Sequence, residues 1–458
     1  MPSLQHTFLK RRQSLASKLR SPALIFAGHA PPRNFPANTY PFRASSHFLY
    51  LVGMSIEGAA ILVHPDGSST LFVPTPSPDD ELWHGPSPSL ETISSLLGIE
   101  AQPFEGLKGS FRKEAIASLP VHDEKTRLIQ QELIGRIVSA SSLSPIDEAL
   151  ADAIISLRLH HDEAAIAEVR HAASITKQAH LEAMRSTRVG RGAWEIRATL
   201  LALFAHNHCT PAYEPIVTPK GEILHARDSN HILEEGDLLL IDAGAESPTG
   251  WASDVTRTIP VSGRFSSTQR AVYELVLEAQ KGAISALRPG VRFRDVHLLA
   301  SRILAEGLLE LGILRNGGPE TLIEEGALAL FFPHGLGHLL GLDVHDMEDL
   351  GDRAGYAPGR FRSTHPSLRY LRLDRDLEAG MVVTIEPGFY HSKGWLAHPQ
   401  NAPLVHRFVN VDILNRFSDV RGIRIEDDLL ITQDGAECLT DSIPKEVEDI
   451  EKVIGGTC

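Results

Sequence analysis

Cysteine is almost missing from this chain, with three in 458 residues at Cys209, Cys438 and Cys458. Thiols so few and so scattered build neither a disulfide framework nor a thiolate metal site, and the natural expectation is a reducing, cytoplasmic compartment. Positive charge is also short. Lys and Arg total 44 against 58 Asp and Glu, a net charge of −14, which argues against nucleic acid and anionic membrane as partners. No run reaches the roughly 18 apolar residues that a membrane span requires. Lys10-Arg11-Arg12 is followed by Gln13 to Arg20 rather than by the apolar core of a signal peptide, so export is not expected. What remains is a globular composition, 42% hydrophobic and 22% charged, in a chain too long for one core. Two domains are expected.

The first part reads as a small α/β domain. Leu24-Ile25-Phe26 and Ala59 to Val63 look like buried strands, and the second turns at Pro65-Asp66-Gly67 into Thr70 to Val73. A proline-rich stretch around Trp83-His84-Gly85 reads as a stiff surface loop. The Ser-rich segment from Ser139 to Pro145 precedes Leu157 to Asp162, which sets the expected domains at 1–156 and 157–458. Beyond it, Glu163 to Met184, Thr268 to Leu287 and Val296 to Leu314 carry apolar side chains at helical spacing. Gly290 after Pro289 is a plausible stop for the second.

Five potential metal ligands lie in the second part. The apolar run Leu238 to Ile241 ends on Asp242, as a buried strand delivers an acid into a cleft. Asp254 follows twelve residues later in what reads as the returning strand of a hairpin through Ser247 to Gly250. Alternation places Thr384 and Glu386 on one face of Met381 to Glu386, and Arg424 with Glu426 on one face of Gly422 to Glu426. His334, His338 and His345 fall within twelve residues in His-Gly-Leu-Gly-His and Asp-Val-His-Asp. No Glu follows His334, so this is not the helical zinc motif, and Leu340 spoils a dinucleotide loop. The glycines read as letting the backbone approach a substrate. Acids inside apolar strands are costly to bury unpaired. Four carboxylates and one imidazole favour a pair of hard divalent cations, an arrangement able to hold a hydroxide and polarise a carbonyl, and hydrolysis is the chemistry suggested.

From about Leu159 to Glu446 these motifs resemble, in order, the catalytic domain of the metal-dependent Xaa-Pro peptidases, the prolidase and aminopeptidase P family of pita-bread fold. His47 to Gly53 resembles, more loosely, a stretch of that family's N-terminal domain. The resemblance implies an α/β (α+β) architecture, with a pita-bread metallopeptidase domain behind a smaller N-terminal α/β domain. It implies that Asp242 binds one ion, that His338 and Glu386 bind the other, and that Asp254 and Glu426 bridge them around the attacking hydroxide. Glu386 would also be the general base. His345 would steady the tetrahedral intermediate or its leaving amine, His225 and His334 would line the substrate cleft, and Arg424 would stand beside the bridging glutamate. Mn2+ is the family's usual metal, with Co2+, Fe2+ and Zn2+ also admitted by such ligands. The implied partners are small peptides with proline second, and a second copy of the chain in a homodimer. The region near Trp83 would lie close to a neighbouring subunit's active site.

Sub-type is argued from spacing. Forty positions separate Glu386 from Glu426, resembling the longer prolidase insertion, and Leu368 to Arg372 resembles the prolidase stretch whose second arginine clamps the free carboxylate of a dipeptide. Arg372 is the clamp on this reading, its planar fork matching a carboxylate. The main expectation is therefore an Xaa-Pro dipeptidase, with an aminopeptidase P acting on longer peptides as the alternative. A non-catalytic binding protein and a metal-free creatinase-type enzyme on the same fold are the rivals; both lose ligands that this chain keeps.

Overall fold

The computed structural model describes residues 4–226 and 228–456, so Cys458 lies outside the described residues. The chain divides into two compact units, Met1–His160 with Met347–Ala354, and His161–Asp346 with Gly355–Cys458.

The first unit is built on a five-stranded sheet in the order Glu100–Pro103, Ser69–Val73, Ala60–Val63, Ala23–Phe26 and Ala117–Ser118. The expected hairpin is present, with Val63 opposite Ser69. Leu24, Phe26, Leu62 and Phe72 of its strands pack with Leu107, Ile116 and Ile134 in one apolar cluster. Each such side chain, fully buried, contributes roughly 1.5–3 kcal/mol. His47 lies in a helix, Ser46–Val52, which Ser45 caps and left-handed Gly53 ends. The proline-rich stretch corrects the loop expectation: Pro78–His84 is helical, because Ser77 and Asp80 form a reciprocal cap and Pro78 suits the first turn. It buries nothing, and Trp83 is 78% exposed. Within the same unit His47 Nε2 lies 2.8 Å from Asp349, and Arg353 reaches Glu148 and Asp152.

The second unit carries the helices expected from periodicity, Glu163–Ser186, Ser267–Ala286 and Phe293–Glu310, together with Ala193–His206. Two three-stranded sheets accompany them. One runs Thr256–Pro260, Leu238–Asp242, Ile216–Thr218, and the other Val382–Ile385, Asp427–Ile431, Ala436–Cys438. A short pair, Gly388–Tyr390 with Gly422–Arg424, lies between Glu386 and Glu426 in sequence. Every residue of Leu238–Asp242 is buried, as a strand covered on both faces should be. The returning strand begins only at Thr256, which faces Asp242, so Asp254 sits in the approach to it rather than within it. Glu386 and Glu426 likewise stand just beyond strand ends. No helix among the described residues is long and apolar enough to cross a membrane.

Candidate metal centre and cleft

All five sequence-predicted ligands line one cleft of about 1070 Å³, and His225, His334, His345, Arg372 and Arg424 line it too. Strand ends deliver the acids. Asp242 closes the Leu238–Asp242 strand, and its Oδ2 accepts from Arg424 at 2.5 Å. Tyr213, which no motif flagged, places its hydroxyl 2.5 Å from Asp242 Oδ1 and within hydrogen-bond reach of Asp254 Oδ1, so its one proton lies between the two aspartates. His338 Nε2 lies 3.5 Å from Asp254 Oδ2 and 3.7 Å from Glu386 Oε1. Its Nδ1 faces the Leu339 carbonyl at 3.0 Å, which leaves Nε2 turned toward the carboxylates as a ligand nitrogen would be. Glu426 Oε2 accepts from Thr256 Oγ1 at 2.7 Å.

The glycines of the His334 to His338 loop serve a different purpose from the one expected. A Cβ at Gly337 would stand 1.9 Å from the Thr384 carbonyl oxygen, and one at Gly335 would stand 3.0 Å from Tyr370 O and Leu371 Cα. The close approach is to the protein's own backbone. It lets His338 and Thr384 exchange hydrogen bonds: Thr384 N–H to the His338 carbonyl at 3.0 Å, and His338 N–H to Thr384 Oγ1 at 3.2 Å.

The electrostatics describe a site short of positive charge. Burial, opposed by Arg424 and reinforced by Asp254, raises the Asp242 carboxyl. Burial and the charges of Asp254 and Asp242 push Glu386 up to about 7, against the pull of His338 and Arg424. Burial with three neighbouring acids holds Glu426 well above the usual carboxylate range. Burial works against a charged His338, yet its hydrogen bond to Asp254 and the charge of Glu386 outweigh it and raise the imidazole to about 9. Carboxylates crowded together and buried repel one another, and divalent cations would offset that repulsion. Ligand atoms of Asp254, His338 and Glu426, all buried, lie within 4.8 Å of one another. The donor set is mainly oxygen with one imidazole nitrogen, and it fits divalent cations.

A second group of contacts backs the first. His334 Nδ1 donates to the Gly335 carbonyl at 2.8 Å, so its Nε2 accepts from the Tyr390 hydroxyl at 2.7 Å. Tyr390 in turn accepts from Arg424 at 3.0 Å. Burial, then Arg424, lowers His334 to about 3 and keeps it neutral. The His345 ring stands edge-on to His338 at 4.4 Å between centroids. Arg372 lines the cleft, as do Tyr370 and Arg362.

Strand-end acids converging with one imidazole in a single cleft define a metal-dependent hydrolase site. The comparisons agree. Residues 167–433 match metallopeptidase family M24, and residues 8–118 match the aminopeptidase P N-terminal domain. The chain is 34% identical over 463 residues to a Xaa-Pro aminopeptidase of Haemophilus influenzae, covering 98% of this chain and 96% of that one. It is 34% identical over 425 residues to a probable Xaa-Pro aminopeptidase of Verticillium alfalfae, covering 91% and 88%. Among solved structures, proline aminopeptidase P II from Yersinia pestis superposes with a TM-score of 0.78 at 32% identity, covering 98% of this chain and 99% of that one. Zinc-substituted Escherichia coli aminopeptidase P in complex with product gives 0.79 at 29% identity, with 98% of each covered. The chain belongs to metallopeptidase family M24, among the pita-bread Xaa-Pro peptidases.

Proposed function

We propose that this enzyme is a Xaa-Pro aminopeptidase, releasing the first residue of peptides whose second residue is proline. The observation that carries the choice over the dipeptidase reading is the name borne by relatives matched over nearly their whole length, Xaa-Pro aminopeptidase. The forty-residue spacing and Arg372, which suggested a dipeptidase, do not separate the two. In this chain much of that spacing is taken up by short helices, among them Ala402–Phe408.

On this reading Asp242, Asp254, His338, Glu386 and Glu426 would hold two divalent cations, Mn2+ first among the candidates. When bound, such ions supply Lewis acidity and a nucleophile of lowered pKa. The chain's own residues supply the rest. Glu386 accepts a proton and hands it to the departing proline nitrogen. His345 steadies the developing charge, Arg424 and Tyr213 hold Asp242 in place, and His225 and the neutral His334 line the substrate channel. Arg372 meets a carbonyl or carboxylate of the peptide beyond the scissile bond. Proline suits the pocket because its nitrogen carries no N–H needing an acceptor. The catalytic part would span 157–458, and pairing into a homodimer, readable by light scattering, belongs to the same proposal.

The test is turnover of Ala-Pro-Ala against Ala-Pro by Mn-loaded protein, with a chelated control. Chelator-sensitive cleavage of the tripeptide in preference is expected. Preference for the dipeptide would restore the prolidase reading, with Arg372 as clamp. Cleavage of neither by protein with metal bound would overturn both and leave a binding protein.

A further inference from the structure

Two successive acids of the Asp427–Ile431 strand are wholly buried, and their surroundings treat them differently. Asp427 accepts from Arg257, Gln280, Thr440 and Lys445, each at 2.7 Å, and two of these donors are cations. Among the described residues Asp428 has no such company. The donors to its carboxyl group are the Ser253 hydroxyl, at 2.7 Å, and the main-chain N–H of Asp254, at 3.1 and 3.2 Å from its two oxygens.

That N–H needs an acceptor, since a buried amide left unpaired is costly. Ser253 N–H goes to the Ala245 carbonyl and Ala243 N–H goes to the Val255 carbonyl, so by antiparallel alternation the Asp254 N–H points to the opposite edge, where the Asp428 carboxyl group receives it. Gly244, opposite Asp254, allows the close pairing, because a Cβ there would stand 1.7 Å from the Ser253 carbonyl oxygen. Asp428 thus takes the place of a main-chain acceptor at the residue from which the Asp254 side chain projects. Its cross-strand partner is Thr384, which bonds the main chain of His338 from both its own N–H and its hydroxyl. Two residues along from Thr384 and from Asp428, just past the ends of their strands, stand Glu386 and Glu426. The ends of these two strands therefore lead into two of the candidate ligands, while Thr384 and Asp428 hold the backbones of two others.

We propose that Asp428 is a positioning residue, its carboxyl group fixing the main chain of Asp254 so that the Asp254 side chain is delivered to the divalent cations; this rests on Asp254 being a ligand. Ser253 completes the device by holding Asp428 in the pose that receives the amide. Partners of this kind change metal affinity by about 10–100-fold when removed.

The experiment is calorimetric titration of chelator-stripped, full-length protein with Mn2+, comparing wild type with Asp428→Ala, Asp428→Asn, Ser253→Ala and Asp254→Asn. Asp428→Ala should weaken binding about 10–100-fold. Asp428→Asn keeps an oxygen for Ser253 and the amide and should recover most of the affinity, which loss of mere packing would not predict. Ser253→Ala should shift affinity in the same direction by less, and it carries the test with Asp428→Asn should the alanine variant not fold. Wild-type affinity in Asp428→Ala, or in Ser253→Ala where the former is unfolded, alongside a loss in Asp254→Asn would overturn the positioning role alone. Wild-type affinity in Asp254→Asn would instead overturn the ligand assignment on which the role rests.

Discussion

Replacing Arg424 with methionine should expose the charge balance of the cleft. The guanidinium is 4% exposed and donates to Asp242 at 2.5 Å, to Tyr390 at 3.0 Å and to Thr256 Oγ1 at 3.0 Å. Methionine fills much of the volume but leaves a buried carboxylate without its cation, a loss of about 3–5 kcal/mol. The sign of the pH dependence follows from Asp242, whose carboxyl is already raised by burial. Removing Arg424 raises it further. A carboxyl raised in the folded state keeps its proton where the unfolded chain has lost one, so the folded state is penalised increasingly as pH climbs above about 4. Urea denaturation of metal-free protein should thus show a deficit of about 3–5 kcal/mol at pH 8, shrinking to less than half at pH 5. A deficit under about 1 kcal/mol at pH 8, or one equal at both pH values, would refute the view that Arg424 compensates buried negative charge.

Three more outcomes are expected. His297 is buried, its Nε2 faces the Ser367 carbonyl at 2.8 Å, and burial lowers it to about 4. The unfolded chain, titrating near 6.5, binds the extra proton first, so stability should fall by about 3 kcal/mol as pH drops from 6.5 to 4, with His297→Gln flattening that slope in urea melts. Tyr390→Phe removes the hydroxyl that links His334 to Arg424; kcat on Ala-Pro-Ala should fall about 10–100-fold while the urea midpoint moves little, and unchanged kcat would deny the link a role. Gly337→Ala drives a methyl to 1.9 Å from the Thr384 carbonyl oxygen. Breaking the two hydrogen bonds between His338 and Thr384 should cost about 2 kcal/mol or more and weaken Mn2+ binding, whereas a fully active variant would mean the backbone relaxes freely.

The candidate ligands were legible because burial punishes acids: Asp242 at the end of four apolar residues and Glu386 after Val382 to Ile385 stand out against any surface pattern. The long helices were legible from periodicity for the same reason. Less so was whatever depends on irregular backbone. Asp254 reads as part of a hairpin strand, yet it lies ahead of that strand, where Gly244 and Asp428 support it. Asp428 in Glu-Asp-Asp reads as part of an ordinary acidic run, and only the chain crossing gives it Ser253 and Asp254. Tyr213 precedes Glu214-Pro215 with no spacing to mark it; its pose follows from the Ile216–Thr218 strand pairing with Leu240 to Asp242. The helix at Pro78–His84 was hidden by its prolines, although Ser77 with Asp80 three residues on was the cap signal that could have revealed it. Grouping of Met347–Ala354 with the first unit has no linear signature at all.

Metal stoichiometry measured alongside activity tests the central claim most directly. Protein stripped by chelator and titrated with Mn2+ should bind two ions per chain and regain cleavage of Ala-Pro-Ala as they bind, with both properties lost in Asp254→Asn. Full cleavage by metal-free protein, or stoichiometric binding in Asp254→Asn equal to wild type, would contradict the account.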